Sequence, residues 1–579
     1  MTTRKTIGEL RSQRWFAPDT IRAFAHRQRL QQVGMRREDF LGKPVIAIVN
    51  TWSDLSTCHA HLRERADAVK RGVWQAGGFP VELPALSLGE VMVKPTTMLY
   101  RNLLALETEE LLRSHPVDGA VLLGGCDKTT PGLLMGAISA GVPALFCPAG
   151  PMSSGYWRGA KTGAGTHTKI YWDELRAGRI GSSDWVDLEG RMTRSFGTCN
   201  TMGTASTMTS IVDAMGLTLP GASSIPAIDS AHARMAAECG ARIVEMVWDD
   251  LTPARLFTRE AFHNGLVTYM ALGGSTNAAV HLIALARRAR VPLTLDEMDA
   301  YARTTPVLAN LFPAGDGLME DFWFAGGLLG LLDRLRHVLA LHAPTANGRT
   351  LGENLVGARV FDDDVIRPWD RPVTGDPVTH GTLAVLNGNL APRGCVIKPA
   401  AASAHLLRHR GPALVFDDHA ELSARIDDPA LDVTAATVLV LRNAGPVGGP
   451  GFPEWGNLPI PKKLLDRGVR DIVRISDARM SGTHFGTCVL HVAPEAAIGG
   501  PLALVQSGDM IELDVPARSI RLCVDDADIA RRRARWTAPP LQSRSYTALY
   551  QRHVSQADEG CDFDFLAAST TPVPEPAIY

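Results

Sequence analysis

From Pro44 to about residue 340, short apolar runs alternate with longer segments of helical spacing, the pattern of a parallel sheet covered by helices. Pro44–Asn50 (PVIAIVN) reads as a buried strand through its Val and Ile content. His61–Gln75 carries apolar residues at helical spacing. Asp118–Gly124 (DGAVLLG) reads as a second strand, and Pro131–Ala140 as a helix with proline at its first position. Met202–Met215 and Asp229–Cys239 are predicted helical. Between about 340 and 380 the texture changes to Pro, Gly and Asp with weak periodicity (HAPTANGRTLGEN, FDDDVIRPWDRPVTGDP), as in a connection between domains. Beyond it come short β-rich runs, TLAVLN, CVIKP, ALVFDD, TVLVLRN, DIVRIS, TCVLHV and MIELDV, which predict a barrel or sandwich. The expectation is an α/β domain over 1–375 with a mainly parallel sheet, and a mostly β, barrel-like domain over 376–579. From about Arg531 the chain reads as helical or irregular.

Composition narrows the function. At 579 residues and 45% hydrophobic the chain can bury more than one core. Lys and Arg total 59 against 61 Asp and Glu, so no global field attracts nucleic acid or an anionic membrane. The first residues, MTTRKTIGELRSQRW, contain no apolar signal core, and there is no run of about 18 apolar residues anywhere. A cytoplasmic protein is expected, without nucleic-acid or membrane partners. Nine cysteines, an odd and scattered set, are not a disulfide framework; most should be small buried hydrophobes, and a minority ligands or nucleophiles.

Three cysteines lie in polar loops. Cys58 (NTWSDLSTCHAH) follows the first strand and Cys126 (LLGGCDKTTP) the second, where open α/β sheets bind ligands. Cys199 (RSFGTCNTMGTAST) precedes a helix, whose free N–H groups stabilise a thiolate. Without a CxxC pair the spacing is a weak metal signal, and a structural thiol is the simpler reading of each. His59 and His61 lack a second compact ligand pair for zinc and read as structural. Cys147, Cys239 and Cys523 sit in apolar or patterned segments and read as packing; Cys395, Cys488 and Cys561 have no distinctive context. Asp127 and Lys128 follow Cys126 directly, and Glu90 and Glu454 lie in Gly/Pro-rich loops. A carboxylate beside a thiolate suggests a hard and a soft metal close together, although a solvated loop charge is the simpler reading of each acid alone. Ser481 (SDARMSGT) stands in a small-residue turn without a local His base.

Together these segments resemble the dihydroxyacid and sugar-acid dehydratases, a family that includes 6-phosphogluconate dehydratase. The resemblance rests on NTWSD with Cys58, the Glu90 segment with MLYRN (Met98–Asn102), GCDKTTPG (Gly125–Gly132), GTCNTMGTAST (Gly197–Thr207), GGSTNAAVHL (Gly273–Leu282), GNLAPRG (Gly388–Gly394) and SDARMSGT (Ser476–Thr483). NTWSD and GTCNTMGTAST look most like the aldonate branch, whose substrates include L-arabinonate and D-xylonate. One departure is Thr57-Cys58-His59, where the family usually has Pro-Cys-Asn.

The resemblance implies an α/β domain and a β-barrel with the site between them. It implies a [2Fe–2S] cluster on Cys58, Cys126 and Cys199, and Mg²⁺ on Glu90, Asp127, Glu454 and Lys128 as its carbamate. Ser481 would be the base, with Thr483 a hydrogen-bond partner of substrate. Three thiolates leave an iron position open as a Lewis acid toward a substrate hydroxyl. The expected enzyme is a hydro-lyase, a homodimer or homotetramer, that converts a small-molecule aldonate to its 2-keto-3-deoxy acid. The rival expectations are a branched-chain dihydroxyacid dehydratase and a non-catalytic cluster-bearing sensor.

Overall fold

The computed structural model describes residues 4–567 and 574–578. Every position of β1 (Val45–Asn50) is buried, as a continuous apolar run requires of a strand covered on both faces. It pairs in parallel within a sheet of β2 (Phe79–Pro84), β1, β3 (Gly119–Gly124) and β4 (Ala144–Pro148), in that order. From β1 the chain steps to one side to reach β2, and from β3 to the other side to reach β4. Right-handed crossovers therefore put the connecting helices, Leu62–Gln75 and Thr129–Ala140, on opposite faces. Each packs on a second helix, Ser230–Trp248 and Met98–Ser114 respectively. The first pair is close: a Cβ on Gly72 would lie 1.8 Å from the Ala237 carbonyl oxygen. Strand order reverses between β1 and β3, which opens a crevice at their carboxyl ends. Cys58 and Cys126 leave the sheet there.

A small antiparallel hairpin, β5 (Gly155–Trp157) and β6 (Ala160–Thr162), follows. The β-rich runs of the C-terminal half all enter a second sheet. Its strands are β7 (Ala384–Gly388), β8 (Ala391–Ile397), β9 (Arg408–Phe416), β10 (Val438–Leu441), β11 (Arg474–Ser476), β12 (Cys488–Val489), β13 (Met510–Asp514) and β14 (Ser519–Leu522). The order is β12-β11-β10-β9-β13-β14-β7-β8. The two outer strands meet where the Val396 N–H donates to the Leu490 carbonyl at 2.9 Å and the Leu490 N–H to that of Val396 at 2.8 Å, so the sheet is nearly closed. Strands β9 to β12 run parallel. Glu454 lies in the connection after β10 and Ser481 in the one after β11, again at carboxyl ends.

The last segment is helical, as read, with helices Asp526–Arg535, Ser545–His553 and Asp564–Ala567. It returns to the first sheet's helices. Arg101 is fully buried and donates from Nη2 to the carbonyls of Gly560 and Cys561 at 2.9 and 2.8 Å. Arg288 grips Asp562 through Nε at 2.6 Å and Nη2 at 3.0 Å, with both side chains 1% exposed. Among the described residues no helix is long and apolar enough to cross a membrane. Replacing Asp562 by Ala leaves the Arg288 charge buried, with Glu109, 3.8 Å away, as its remaining ion-pair partner among the described residues and the Ser139 hydroxyl as a neutral acceptor at 2.6 Å. Urea denaturation of that variant is expected to show a loss of about 3 kcal/mol. A loss near zero would mean that this pair does not anchor the tail.

Candidate active site

The three polar-loop cysteines converge. Cys58 lies in a single 3-10 turn, Thr57–His59. Cys126 immediately precedes the Thr129–Ala140 helix, and Cys199 the Thr204–Ala214 helix. The Cys58 thiol is raised well above the usual range by its contact with the Cys126 sulfur, then by burial and by the charges of Cys126, Cys199 and Asp127. Burial raises Cys199 as well, with Asp127, Cys126, Glu90 and Glu454 adding to it. Three bare thiolates are thus strongly disfavoured without a cation to share. The other cysteines lie elsewhere. Cys147 and Cys239 sit in the main core against Met235, and Cys395, Cys488 and Cys561 are buried. Cys523 is half-buried.

His59 sets the position of Cys126. Its Nε2 accepts the Cys126 backbone N–H at 3.0 Å, which leaves the proton on Nδ1, 3.1 Å from the Thr51 carbonyl. Burial lowers its pKa to about 4, so the ring is neutral. His61 lies 2.7 Å from the Ala149 carbonyl through Nε2 and stacks on Phe196 with centroids 4.6 Å apart. Both histidines are structural, as the sequence suggests, and His59 holds a site loop.

Glu90, Asp127 and Glu454 each offer a carboxylate oxygen, all within 4.8 Å of one another. Lys128, fully buried, points its Nζ into the group, 3.0 Å from Glu90, 3.2 Å from Asp127 and 3.5 Å from Glu454. Glu454 also receives Arg479 Nη1 and Asn277 Nδ2, each at 2.8 Å, while the Thr97 hydroxyl donates to Glu90. Burial alone would raise the Glu454 pKa, but Lys128 and Arg479 outweigh it and hold the carboxyl well below the usual range. Burial raises Glu90, where the neighbouring carboxylates oppose Lys128. Lys128 is pulled down by burial and by Arg479, and the three carboxylates overcome both to raise it. Arg479, Asn277 and Thr97 were missed in the sequence. Two lie inside quoted motifs, yet only the fold reveals which carboxylate each one meets.

The loop of Glu454 is tied to that of Ser481. The Arg479 N–H donates to the Pro453 carbonyl at 3.1 Å, and the Gly456 N–H to the Arg479 carbonyl at 2.8 Å. The Ser481 and Thr483 hydroxyls are 2.9 Å apart. Thr483 is held by the Thr166 hydroxyl, which donates to its carbonyl at 2.5 Å. Glycine is required opposite it. At Gly165, whose φ is +84°, a Cβ would lie 2.2 Å from the Thr483 hydroxyl, and at Gly203 one would lie 2.7 Å from its methyl. All nine candidates from the sequence therefore fall in two adjoining clusters and one loop between the two sheets.

Two family models match this chain in succession: dihydroxy-acid/6-phosphogluconate dehydratase N-terminal over residues 43–354 and its C-terminal counterpart over 364–561. The chain belongs to this dehydratase family. It is 66% identical over 577 residues, 99% of each chain, to the 6-deoxy-6-sulfo-D-gluconate dehydratase of Pseudomonas putida. It is 48% identical over 561 residues, 96% of each, to the L-arabinonate dehydratase of Rhizobium leguminosarum bv. trifolii. Against the dihydroxy-acid dehydratase of Caldanaerobacter subterraneus subsp. tengcongensis the identity is 38% over 547 residues, 93% of this chain and 97% of that one. These relatives support the aldonate branch of the family, and with it a dehydratase of the hydro-lyase class.

Two substitutions test how the site is held. His59→Leu removes the acceptor of the Cys126 N–H and should cost about 1–3 kcal/mol in urea denaturation; an unchanged midpoint would remove His59 from the support of this loop. Gly165→Ala should leave the far-ultraviolet circular dichroism spectrum intact while displacing Thr483 and lowering turnover by about tenfold or more. Wild-type turnover in that variant would show that the position of Thr483 does not matter.

Proposed function

We propose that this enzyme dehydrates a six-carbon sugar acid, 6-deoxy-6-sulfo-D-gluconate or a close analogue, to its 2-keto-3-deoxy acid and water. The observation that carries the dehydration is the junction at Cys126-Asp127-Lys128, where three thiols meet three carboxylates in one buried site. The 66% identity over 99% of both chains supports a sulfonated hexonate within the pentonate and hexonate branch that the resemblance suggested, in place of its examples L-arabinonate and D-xylonate. A cytoplasmic location suits nine free thiols.

The donor sets fit the expected cofactors. The thiols of Cys58, Cys126 and Cys199 are a soft set, with Cys58 and Cys199 raised until a cation is shared, and the oxygens of Glu90, Asp127 and Glu454 are a hard set close enough for one ion. Lys128 as its carbamate would add oxygen donors to the second set in place of the ammonium. A [2Fe–2S] cluster and Mg²⁺ bound there would supply Lewis acidity toward the departing 3-hydroxyl and the carboxylate end of the substrate.

The chain's own residues perform the proton transfers. Ser481 Oγ, as the alkoxide, takes the C2 proton, the C2–H electron pair becomes the C2=C3 bond, and the C3–O bond breaks; the departing hydroxide takes that proton back from Ser481 Oγ, so water leaves and the alkoxide is restored. The enol then takes a proton at C3 and becomes the ketone. A serine hydroxyl is too weak a base unaided, so its alkoxide needs donors: Thr483 Oγ1, 2.9 Å away, is one. Ser481 is half-buried beside the buried Thr483, which limits the access of competing water.

A panel of 6-deoxy-6-sulfo-D-gluconate, L-arabinonate, D-xylonate and 2,3-dihydroxy-3-methylbutanoate, assayed for 2-keto acid after anaerobic purification, tests the reading. Turnover of the branched acid alone, or of none, overturns it. Cys58→Ser should abolish the visible absorbance of the protein, whereas Ser481→Ala should keep that spectrum and lose turnover by about a thousandfold or more. A Ser481→Ala variant of near-normal rate would remove Ser481 as the base.

A further inference from the structure

A second group of polar side chains adjoins the turn of Ser481 and Thr483. The helix Thr166–Arg176 begins against Thr483, and one turn along it Lys169 is nearly buried, its side chain 12% exposed. Lys169 Nζ makes one ion pair, with Asp173 at 3.0 Å, and Asp173 also has Arg176 at 3.6 Å. His484 closes the turn that starts at Ser481, its N–H donating to the Ser481 carbonyl at 3.0 Å. Arg474, 2% exposed, is fixed by Asn457 Oδ1 at 2.6 Å, and Asn457 stands three residues beyond Glu454. The charges of Glu454, Lys169 and Arg474 all act on His484, so these groups lie near it.

Three buried nitrogens in this group, His484 Nδ1, Arg474 Nε and Asn457 Nδ2, have no hydrogen-bond partner among the described residues. Buried polar atoms are almost always paired, so a cluster of unpaired ones beside a catalytic serine marks the place of a ligand. Two cations and an amide donor suit an oxyanion, which gains charge-assisted hydrogen bonds in a site where little water screens them. The C1 end of a sugar acid belongs at the carboxylate cluster, and C2 and C3 at Ser481. The chain of the acid then runs on toward His484 and Lys169.

We propose that Lys169 and His484, backed by Arg474 and Asn457, form the subsite that reads a terminal oxyanion, sulfonate or phosphate, at C6 of the substrate. This rests on the dehydration of a C6-anionic sugar acid proposed above, and it names the residues that select it. Lys169 supplies the charge and two unused N–H donors, and His484 orients the group. Arg474 is already fixed by Asn457 and Asp471, so it adds field more than contact.

The test compares 6-deoxy-6-sulfo-D-gluconate, 6-phospho-D-gluconate and D-gluconate on the cofactor-loaded enzyme and its Lys169→Gln, Lys169→Arg and His484→Ala variants. Wild type should favour an anionic acid over D-gluconate, and the better of the two anions identifies the natural group. Lys169→Gln should lower the ratio of kcat/KM for that anion to kcat/KM for D-gluconate by about tenfold or more, chiefly through KM, and Lys169→Arg should restore much of it. Isothermal titration of the same acids into Ser481→Ala and into Ser481→Ala with Lys169→Gln should show the same loss in Kd. Because Asp173 keeps Arg176, the Gln variant should fold, and an unchanged circular dichroism melt checks this. If wild type prefers neither anion, the substrate reading fails and takes the subsite with it. If wild type prefers one and Lys169→Gln leaves both the ratio and the Kd unchanged, the subsite alone is wrong.

Discussion

The constraint on which the rest of this structure depends is the burial of Glu90, Asp127 and Glu454 within 4.8 Å of one another. Three carboxylates out of water repel strongly and lose their hydration, so the fold must surround them with compensation. Lys128 and Arg479 supply it, both fully buried, with Asn277 and Thr97 adding neutral donors. The carboxylates and these partners together come from five separate stretches of chain. Both sheets must therefore form, and meet, before the charges can be tolerated. The site is in this sense a reason for the architecture to be specific.

Topology explains why those stretches meet. In the first sheet the reversal of strand order between β1 and β3 opens a crevice, and the loops carrying Cys58 and Cys126 empty into it. In the second sheet the parallel run β9 to β12 does the same for Glu454 and Ser481. Two unrelated sheets present their carboxyl ends to each other. Backbone bonds between Arg479 and the Pro453–Gly456 stretch then couple the position of a ligand candidate to that of the candidate base.

Much of this was legible in the amino-acid sequence. The apolar runs that become β1, β3 and most of the second sheet are unambiguous, because a strand buried on both faces leaves no room for polar residues. The cysteine loops and acidic residues could be placed through their motifs. Other features left weaker traces. The helix read from Pro131 begins at Thr129, since proline is tolerated anywhere in a first turn. The helix read as Asp229–Cys239 continues to Trp248 because GARIVEMVW keeps its apolar face on the sheet. The short strand β14, SIRL, gave no signal apart from its neighbour. Arg479, Asn277 and Thr97 stayed hidden for a different reason. Their roles are fixed by which carboxylate each one meets in the fold, and no local spacing encodes a contact such as Asn277 with Glu454.

The return of the chain's last helices to the first sheet has a consequence for synthesis. Arg101 and Arg288 find part of their acceptors at Gly560, Cys561 and Asp562, 274 or more residues further along the chain. On the ribosome, the helices that flank the Cys126 and Glu90 loops emerge hundreds of residues before those acceptors do. Until that stretch is made, the two buried arginines lack these acceptors, so the N-terminal half cannot reach its final packing first. Assembly of the thiol and carboxylate site is thereby tied to synthesis of residues 560–562, and a polypeptide that stops short of them would lack a finished site.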